Sequence, residues 1–200
     1  MRALIMAGGA GSRLNLGEKP LILINNQPMI RYIINAFTAA GCTVVVATSP
    51  KTPMTQNWCR ANGIDSYDTG GMDYITDMIE AVTVLEETHP LFISVSDIPC
   101  IEKDIIDKVC DAYISSGKNA CSTWVPTDIV THCKGDLAYK TKIRDTLSCP
   151  TGLNILQGSL ISEPQDELQL IINDPRLAIN VNTPTDRNAA EEFLRKQGRE

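Results

Sequence analysis

Near the amino terminus, a glycine-rich segment is followed by two basic residues, a combination that can bind a chain of phosphates. The segment reads Met6-Ala7-Gly8-Gly9-Ala10-Gly11-Ser12-Arg13-Leu14, and Glu18-Lys19-Pro20-Leu21 follows closely. Glycines lack a Cβ, so several backbone N–H groups can converge on one anion. Arg13 can hold phosphate oxygens with two donors, and Lys19 adds a point charge. The segment therefore predicts a phosphate site, in which we expect Lys19 to be exposed to solvent.

Neither of the two common phosphate-binding templates fits this segment. The dinucleotide fingerprint needs a third glycine at position 14, which is Leu14. A Walker P-loop needs Gly-Lys-Ser/Thr, but Gly17 is followed by Glu18. The alternative is a plain glycine turn beside two solvated cations, which the presence of Arg13 and Lys19 disfavours.

Polar side chains also follow predicted strands later in the chain. Asp97 comes just after the apolar run at 91–95, and it can either ligate a cation or cap a helix ahead of Pro99. Asn180 and Asn182 flank Val181, so at strand spacing both side chains share one face and can serve a phosphate or a metal's water shell. Their alternative is ordinary turn chemistry before a proline. Asp77 lies off the apolar stripe of its predicted helix, where it reaches either a nucleotide or water.

The elements that must position these residues alternate between strand and helix. Repeated strand–helix units predict a mostly parallel sheet covered on both faces, in which ligands bind beyond the carboxyl ends of the strands. We expect one Rossmann-like three-layer αβα domain over residues 1–200, with an irregular or hairpin excursion at 126–149. The predicted strands are 2–6, 43–47, 91–95, 120–125, 152–156 and 177–181, and the predicted helices are 28–41, 53–63, 73–87, 101–117 and one opened by Thr183-Pro184-Thr185-Asp186.

Composition excludes several classes of protein. The chain has 200 residues, 43% hydrophobic and 21% charged, which is ordinary globular usage and not that of a disordered chain. A net charge of −6 argues against nucleic acid as a partner. The sequence has no apolar run long enough for a membrane span and no secretory h-region, so we expect a cytoplasmic protein. Seven cysteines without a Cys-x-x-Cys pair argue against a disulfide framework or a zinc site.

The glycine-rich motif with its following Lys-Pro-Leu resembles the signature of the MobA-like nucleotidyltransferases. Three further segments resemble the archaeal adenosylcobinamide-phosphate guanylyltransferases of the CobY type. They are Ala47-Thr48-Ser49-Pro50-Lys51-Thr52-Pro53, Asp68-Thr69-Gly70-Gly71-Met72-Asp73-Tyr74, and Gly152-Leu153-Asn154 taken with Asn180-Val181-Asn182-Thr183. The resemblance extends over nearly the whole chain.

That resemblance implies transfer of GMP from GTP to adenosylcobinamide phosphate, with release of pyrophosphate, in coenzyme B12 synthesis. A phosphate monoester has a second pKa near ~6, so the acceptor is largely a dianion and needs no general base. The implied catalytic residues are Arg13, Lys19 and Asp97, with Mg²⁺ on Asp97. The implied nucleotide-binding residues are Ala7, Gly8, Gly9, Ala10, Gly11, Ser12, Thr48, Ser49, Asp68, Thr69, Gly70 and Gly71. The implied acceptor-binding residues are Gly152, Asn154, Asn180 and Asn182.

Two other functions stay open at this point. The acceptor could instead be molybdopterin, because Asn-x-Asn-Thr-Pro also resembles the molybdenum cofactor guanylyltransferases. A non-catalytic nucleotide-binding regulatory protein could retain the fold, but it would not need a leaving-group cation together with a metal ligand. The choice of guanine over adenine depends on the resemblance alone, and the sequence leaves a homodimer open.

Overall fold

The computed structural model describes residues 1–9, 11, 17–130 and 140–198. The strands are Arg2–Met6 (β1), Leu23–Ile24 (β2), Gln27–Pro28 (β3), Thr43–Thr48 (β4), Asp65–Asp68 (β5), Pro90–Val95 (β6), Ala120–Pro126 (β7), Thr141–Ile143 (β8), Thr146–Gln157 (β9) and Glu167–Ile171 (β10). The helices are Met29–Ala39 (α1), Pro53–Ala61 (α2), Tyr74–Val84 (α3), Lys103–Ser116 (α4), Pro175–Ala178 (α5) and Pro184–Lys196 (α6), with short 3₁₀ turns at Lys19–Leu21 and Gly158–Leu160.

A central sheet runs through the molecule in the order β10-β7-β9-β6-β1-β4-β5, and β8 pairs with β9. Strands β6, β1, β4 and β5 are mutually parallel, as are β7 and β10, whereas β9 is antiparallel to both β6 and β7. β1 and β6 are mostly apolar along their length because both of their faces are covered by helices. The predicted mostly parallel αβα architecture is confirmed.

Helices cover the two faces of the sheet. One face of β1, Ala3 and Ile5, packs in a cluster with Ile33 and Phe37 of α1 and Val109 of α4. The side chains that point the other way form a second cluster with α3: they are Leu4, Val45 and Ile93 of the sheet and Met78, Ala81 and Val82 of the helix. α3 is therefore fixed beneath β1, β4 and β6, with its first turn at the carboxyl ends of these strands.

Two predictions about the carboxyl-terminal third have opposite outcomes. The capping box of α6 is confirmed: the Thr183 hydroxyl accepts from the Asp186 N–H, and an Asp186 carboxylate oxygen accepts from the Thr183 N–H. The strand predicted at 177–181 is wrong. Asp174 caps a short helix that Pro175 opens, and this helix takes up the first part of the apolar run.

The predicted excursion at 126–149 contains a hairpin, and part of it lies outside the described residues. β8 pairs with the beginning of β9, and the strand predicted at 152–156 is longer than expected, with 12 residues from Thr146 to Gln157. Six cysteines are free thiols, and Cys133 lies outside the described residues. None of the described helices combines the length and apolar character needed to cross a bilayer.

Candidate active site

A pocket of about 550 Å³ opens where β1 and β6 end and α3 begins. Parallel pairing brings Met6 level with both Ala47 and Val95, so the loops that follow these strands leave from one edge of the sheet. The lining residues are Met6, Gly8, Gly9, Gly11, Lys19, Lys51, Met72, Asp73, Tyr74, Asp77, Val95, Ser96, Asp97 and Asn182.

Lys19 lies at the centre of the polar wall of this pocket. Its ammonium forms an ion pair with Asp97 and donates to Asn182 Oδ1 at 2.7 Å. The Lys19 side chain is only 14% exposed, so the expectation of a solvent-exposed lysine is wrong. An ammonium can only donate, so Asn182 must present its oxygen to Lys19 and its amide N–H to Asn180, 2.7 Å away. Asn180 therefore orients Asn182 from outside the pocket lining.

Glu18 and Gly11 place Lys19. Both carboxylate oxygens of Glu18 accept backbone N–H groups of the first turn of α2, from Met54 at 2.7 Å and Thr55 at 2.6 Å. This cap fixes the residue before Lys19 against a helix N-terminus, where a negative charge is favoured. Gly11 has a positive φ of 59°, and a Cβ there would collide with the Cβ of Lys19. The close approach of the two segments therefore requires glycine.

Asp97 is held by its backbone and has one carboxylate oxygen left over. Its carbonyl accepts the Val181 N–H at 2.9 Å, and Asp186 accepts the Asn182 N–H at 3.0 Å, so the cap of α6 fixes this segment. Asp97 Oδ1 is buried and has no hydrogen-bond partner among the described residues. Such an oxygen, in a pocket that Asn182 also lines, fits a hard divalent cation, because Mg²⁺ is commonly bound by one or two carboxylates together with water and substrate oxygens. The described residues contain no cluster of three or more His, Cys, Asp or Glu side chains that could hold a metal without such oxygens.

The nucleotide-binding residues that the resemblance implies at the ends of β4 and β5 support the pocket from behind. The Ser49 hydroxyl donates to Gly8 O at 2.7 Å, and the Thr69 hydroxyl donates to Thr48 O at 2.9 Å. Thr48, Ser49 and Thr69 are buried, and none of them belongs to the pocket lining. Asp68 accepts a hydrogen bond from the Thr48 hydroxyl at 3.3 Å. Like Gly70 and Gly71, Asp68 lies outside the pocket lining. Their contact with a nucleotide stays a prediction.

The remaining predicted residues have mixed positions. Gly152 packs directly on Val95 at the pocket edge, where a Cβ would lie 2.6 Å from Val95 Cγ2. Asn154 pairs with Ile93, further down the sheet and outside the lining. Ala7 is buried and donates to Ala47 O at 2.8 Å, which anchors the start of the glycine-rich segment. Ala10, Ser12 and Arg13 lie outside the described residues.

The start of α3 supplies three pocket residues, of which the sequence had singled out only Asp77, as reaching either a nucleotide or water. The Asp73 side chain caps the helix by accepting from the Ile75 and Thr76 N–H groups. Partial burial, and then the nearby Asp97 carboxylate, raise the pKa of Tyr74 to about 12, although 41% of the residue is still exposed. Asp77 is 8% exposed and accepts the Met72 N–H at 3.0 Å. A capping Asp followed four residues later by a second Asp was the available signal, but it could not show that both face a ligand pocket.

With this geometry established, comparison with known proteins gives the class. The MobA-like NTP transferase domain family matches residues 3–151, so the chain belongs to that family and the protein is a nucleotidyltransferase. Over 209 aligned residues it is 28% identical to adenosylcobinamide-phosphate guanylyltransferase of Methanocaldococcus jannaschii, an alignment that covers 99% of this chain and 100% of that protein.

Solved structures share the fold at low sequence identity. A CMP:2-keto-3-deoxy-manno-octonic acid synthetase complexed with CTP superposes with a TM-score of 0.74 and 13% identity, over 98% of this chain and 100% of its own. A putative glucose-1-phosphate thymidylyltransferase from Bacillus anthracis superposes with a TM-score of 0.72 and 11% identity, over 98% of this chain and 95% of its own. These likenesses confirm the nucleotide-diphospho-sugar transferase type of fold.

Proposed function

We propose that this protein transfers GMP from GTP to adenosylcobinamide phosphate, forming adenosylcobinamide-GDP and pyrophosphate. The observation that carries the proposal is the end-to-end similarity to the Methanocaldococcus jannaschii relative of that name. The pocket supports it, because glycine amides, a lysine and a strand-end aspartate line one cavity. The reaction belongs to cobamide synthesis.

The chemistry requires positioning and charge neutralisation more than proton transfer. An oxygen of the acceptor phosphate forms a bond to the α-phosphorus of GTP, while the bond from that phosphorus to the bridging oxygen breaks and pyrophosphate leaves. The attacking dianion needs no base. The backbone amides of Gly8, Gly9 and Gly11 hold the triphosphate, and Lys19 turns its ammonium toward the α-phosphate or the incoming phosphate. Arg13 neutralises the departing pyrophosphate.

A divalent cation fits beside these groups. Asp97 Oδ1 would hold Mg²⁺, with Asn182 Oδ1 as a neighbouring oxygen, and the ion would supply positive charge to the phosphates. Lys19 is already paired with the other oxygen of the same carboxylate, so the two cations share Asp97. Lys19 is therefore poised to move from Asp97 to a phosphate, with Asn182 as its second acceptor.

An acceptor-exchange assay tests the proposal. Purified protein with Mg²⁺ and GTP is expected to release pyrophosphate when adenosylcobinamide phosphate is present and not when unphosphorylated adenosylcobinamide replaces it. Turnover with molybdopterin and none with adenosylcobinamide phosphate would assign the molybdenum cofactor reaction instead. Tight GTP binding without pyrophosphate from either acceptor would indicate a nucleotide-binding regulatory protein.

A further inference from the structure

A single peptide group joins two oppositely charged side chains of the pocket. Lys51 donates from its ammonium to Gly71 O at 2.6 Å. The N–H of the next residue, Met72, donates to Asp77 Oδ1 at 3.0 Å. Gly71 O and Met72 N belong to the same peptide unit, whose planar geometry directs the carbonyl and the N–H to opposite sides. Lys51, Met72 and Asp77 all line the pocket.

This arrangement limits the distance between the Lys51 ammonium and the Asp77 carboxylate. The two hydrogen bonds and the peptide between them hold the ammonium and Asp77 Oδ1 at most about 8 Å apart, since a peptide O and N are little more than 2 Å from each other. Gly71 keeps the peptide in place: it has a φ of 71°, and a Cβ there would lie 3.2 Å from Pro50 Cδ. The turn that carries the peptide is thus packed against the loop that carries Lys51.

Both charged groups have hydrogen-bonding capacity left. A lysine ammonium has three donors, and one of them is used on Gly71. No described residue donates to Asp77 Oδ2. Asp77 is 8% exposed and lines the pocket, so a bound molecule can donate to this carboxylate. The pocket therefore presents a donor and an acceptor on the two sides of one peptide group.

Guanine has the complementary edge. Its O6 accepts, and its N1–H and N2–H₂ donate, whereas adenine places a donating N6–H₂ and an accepting N1 in the corresponding positions. We propose that Lys51 donates to O6 and Asp77 accepts from N1–H and N2–H₂, so that this pair selects guanine. The inference rests on the proposed function, because it takes GTP as the nucleotide. Adenine would set its N6–H₂ against the ammonium and its N1 against the carboxylate.

The substitution Asp77→Asn gives a sharp test, since the side-chain oxygen can still accept the Met72 N–H while the other atom becomes a donor. Binding of nucleotides with Mg²⁺ is measured by calorimetry without any acceptor. The wild type is expected to bind GTP more tightly than ITP, which lacks N2–H₂, and much more tightly than ATP. In Asp77→Asn we expect GTP to bind about 10- to 100-fold more weakly. The variant should also lose the preference for GTP over ITP. It should bind XTP more tightly than the wild type does, because O2 of XTP accepts a hydrogen bond.

Two further variants keep the test decisive. Lys51→Met should weaken GTP binding by about 10-fold, whereas ATP should bind at least as tightly as it does to the wild type, because the ammonium that opposes N6–H₂ is gone. Glu80→Gln is the matched control: Glu80 lies on the same helix and accepts the Gly70 N–H of the same turn at 3.0 Å, but it does not line the pocket. Any effect of Glu80→Gln should be equal for all four nucleotides.

The outcomes separate this inference from the function on which it rests. If Asp77→Asn keeps the wild-type ranking of GTP, ITP, XTP and ATP, Asp77 does not recognise the base and the inference is wrong, while guanylyl transfer stands. Should Asp77→Asn fail to fold, an unchanged GTP to ATP ratio in Lys51→Met would lead to the same conclusion. Wild-type protein that binds ATP as tightly as GTP would contradict the proposed nucleotide itself.

Discussion

Lys19 and Asp97 are in direct contact although 78 positions separate them in the sequence. The sequence assigned each of them separately to the chemistry, one as a phosphate ligand and the other as a metal ligand. In the folded chain, each one neutralises the other. Both side chains are more than four-fifths buried, so the contact is made where solvent screens charge poorly.

This contact gives a first prediction for Lys19→Ala. We expect turnover to fall about 100- to 1,000-fold, because the cation at the reacting phosphates is lost. The free energy of unfolding should also fall, by about 1–3 kcal/mol, because the Asp97 carboxylate is left unpaired. Pyrophosphate release and urea unfolding measure the two effects. Lys103→Ala, which breaks a surface pair with Asp107, should change neither by much. Wild-type turnover in Lys19→Ala would remove this residue from the site.

The orphaned oxygen of Asp97 gives a second prediction. Asp97→Asn should abolish the proposed metal site and lower turnover by at least about 100-fold. The free energy of unfolding should also fall, by about 1–3 kcal/mol, because the mostly buried Lys19 ammonium loses the carboxylate that neutralises it. Mn²⁺ titration in the presence of GTP reports the metal site directly. Asp166→Asn, at an exposed position, is the control, and undiminished Mn²⁺ binding in Asp97→Asn would place the cation elsewhere.

The sequence predicted the elements whose residues are locally consistent. β1 and β6 are apolar because both faces are covered, and Thr183 with Asp186 forms a cap from residues only three apart. The strand Asp65–Asp68 was missed because it lies at the edge of the sheet and contains no aliphatic residue. The apolar run at 177–181 was misinterpreted because a proline and a capping aspartate outweigh its strand propensity.

The residues of the site could be predicted from the sequence, but the contacts between them could not. The glycines, Lys19, Asp97 and Asn182 could be selected by residue type, and the structure brings them to one pocket. The burial of Lys19 depends on contacts with residues 78 and 163 positions away, which no local pattern records. Lys51 and Asp77 are linked only through a peptide of a third segment, so their common purpose appears only after folding.

Glu18 gives a third prediction, because its side chain binds the first turn of α2 and its backbone leads directly into Lys19. Glu18→Ala removes a carboxylate that accepts three hydrogen bonds from Met54 and Thr55. We expect the free energy of unfolding to fall by about 1–2 kcal/mol, as for other lost helix caps. Turnover should fall more than GTP binding, since Lys19 is no longer held in place. Glu163→Ala, at an exposed turn, is the control, and a loss of stability with unchanged turnover would show that the cap does not position Lys19.

Gly11 and Gly17 form a matched pair for a fourth prediction. Both have positive φ values, of 59° and 89°, so alanine strains the backbone at either position. Only at Gly11 would the added Cβ collide with Lys19, whereas no described residue lies within 4 Å of a Cβ added at Gly17. Gly11→Ala should therefore lower turnover by at least about 10-fold more than Gly17→Ala. It should also lose more stability, since the clash with Lys19 adds to the backbone strain of about 1 kcal/mol that both variants share. Equal turnover of the two variants would contradict the close approach.

Arg176 gives a fifth prediction, which concerns acid stability away from the site. Hydrogen bonds from Arg176 hold the pKa of Asp104 below its usual range, and they do the same for Asp174 even though burial alone would raise it. A carboxyl whose folded-state pKa is lowered stabilises the fold above its ordinary pKa of about 4 and loses this contribution as the pH falls through the folded-state value. Arg176→Met should therefore be less stable than the wild type by about 1–3 kcal/mol at pH 7.

That difference should shrink as the pH is lowered toward 3, because protonation removes the same interactions from the wild type. Urea unfolding at a series of pH values measures it. Lys118→Met breaks an exposed pair with Asp166 and should show almost no difference at any pH, since exposed ion pairs contribute little. A constant gap between Arg176→Met and the wild type from pH 7 to 3 would mean that Arg176 stabilises the fold by packing its aliphatic stem and not through its carboxylate partners.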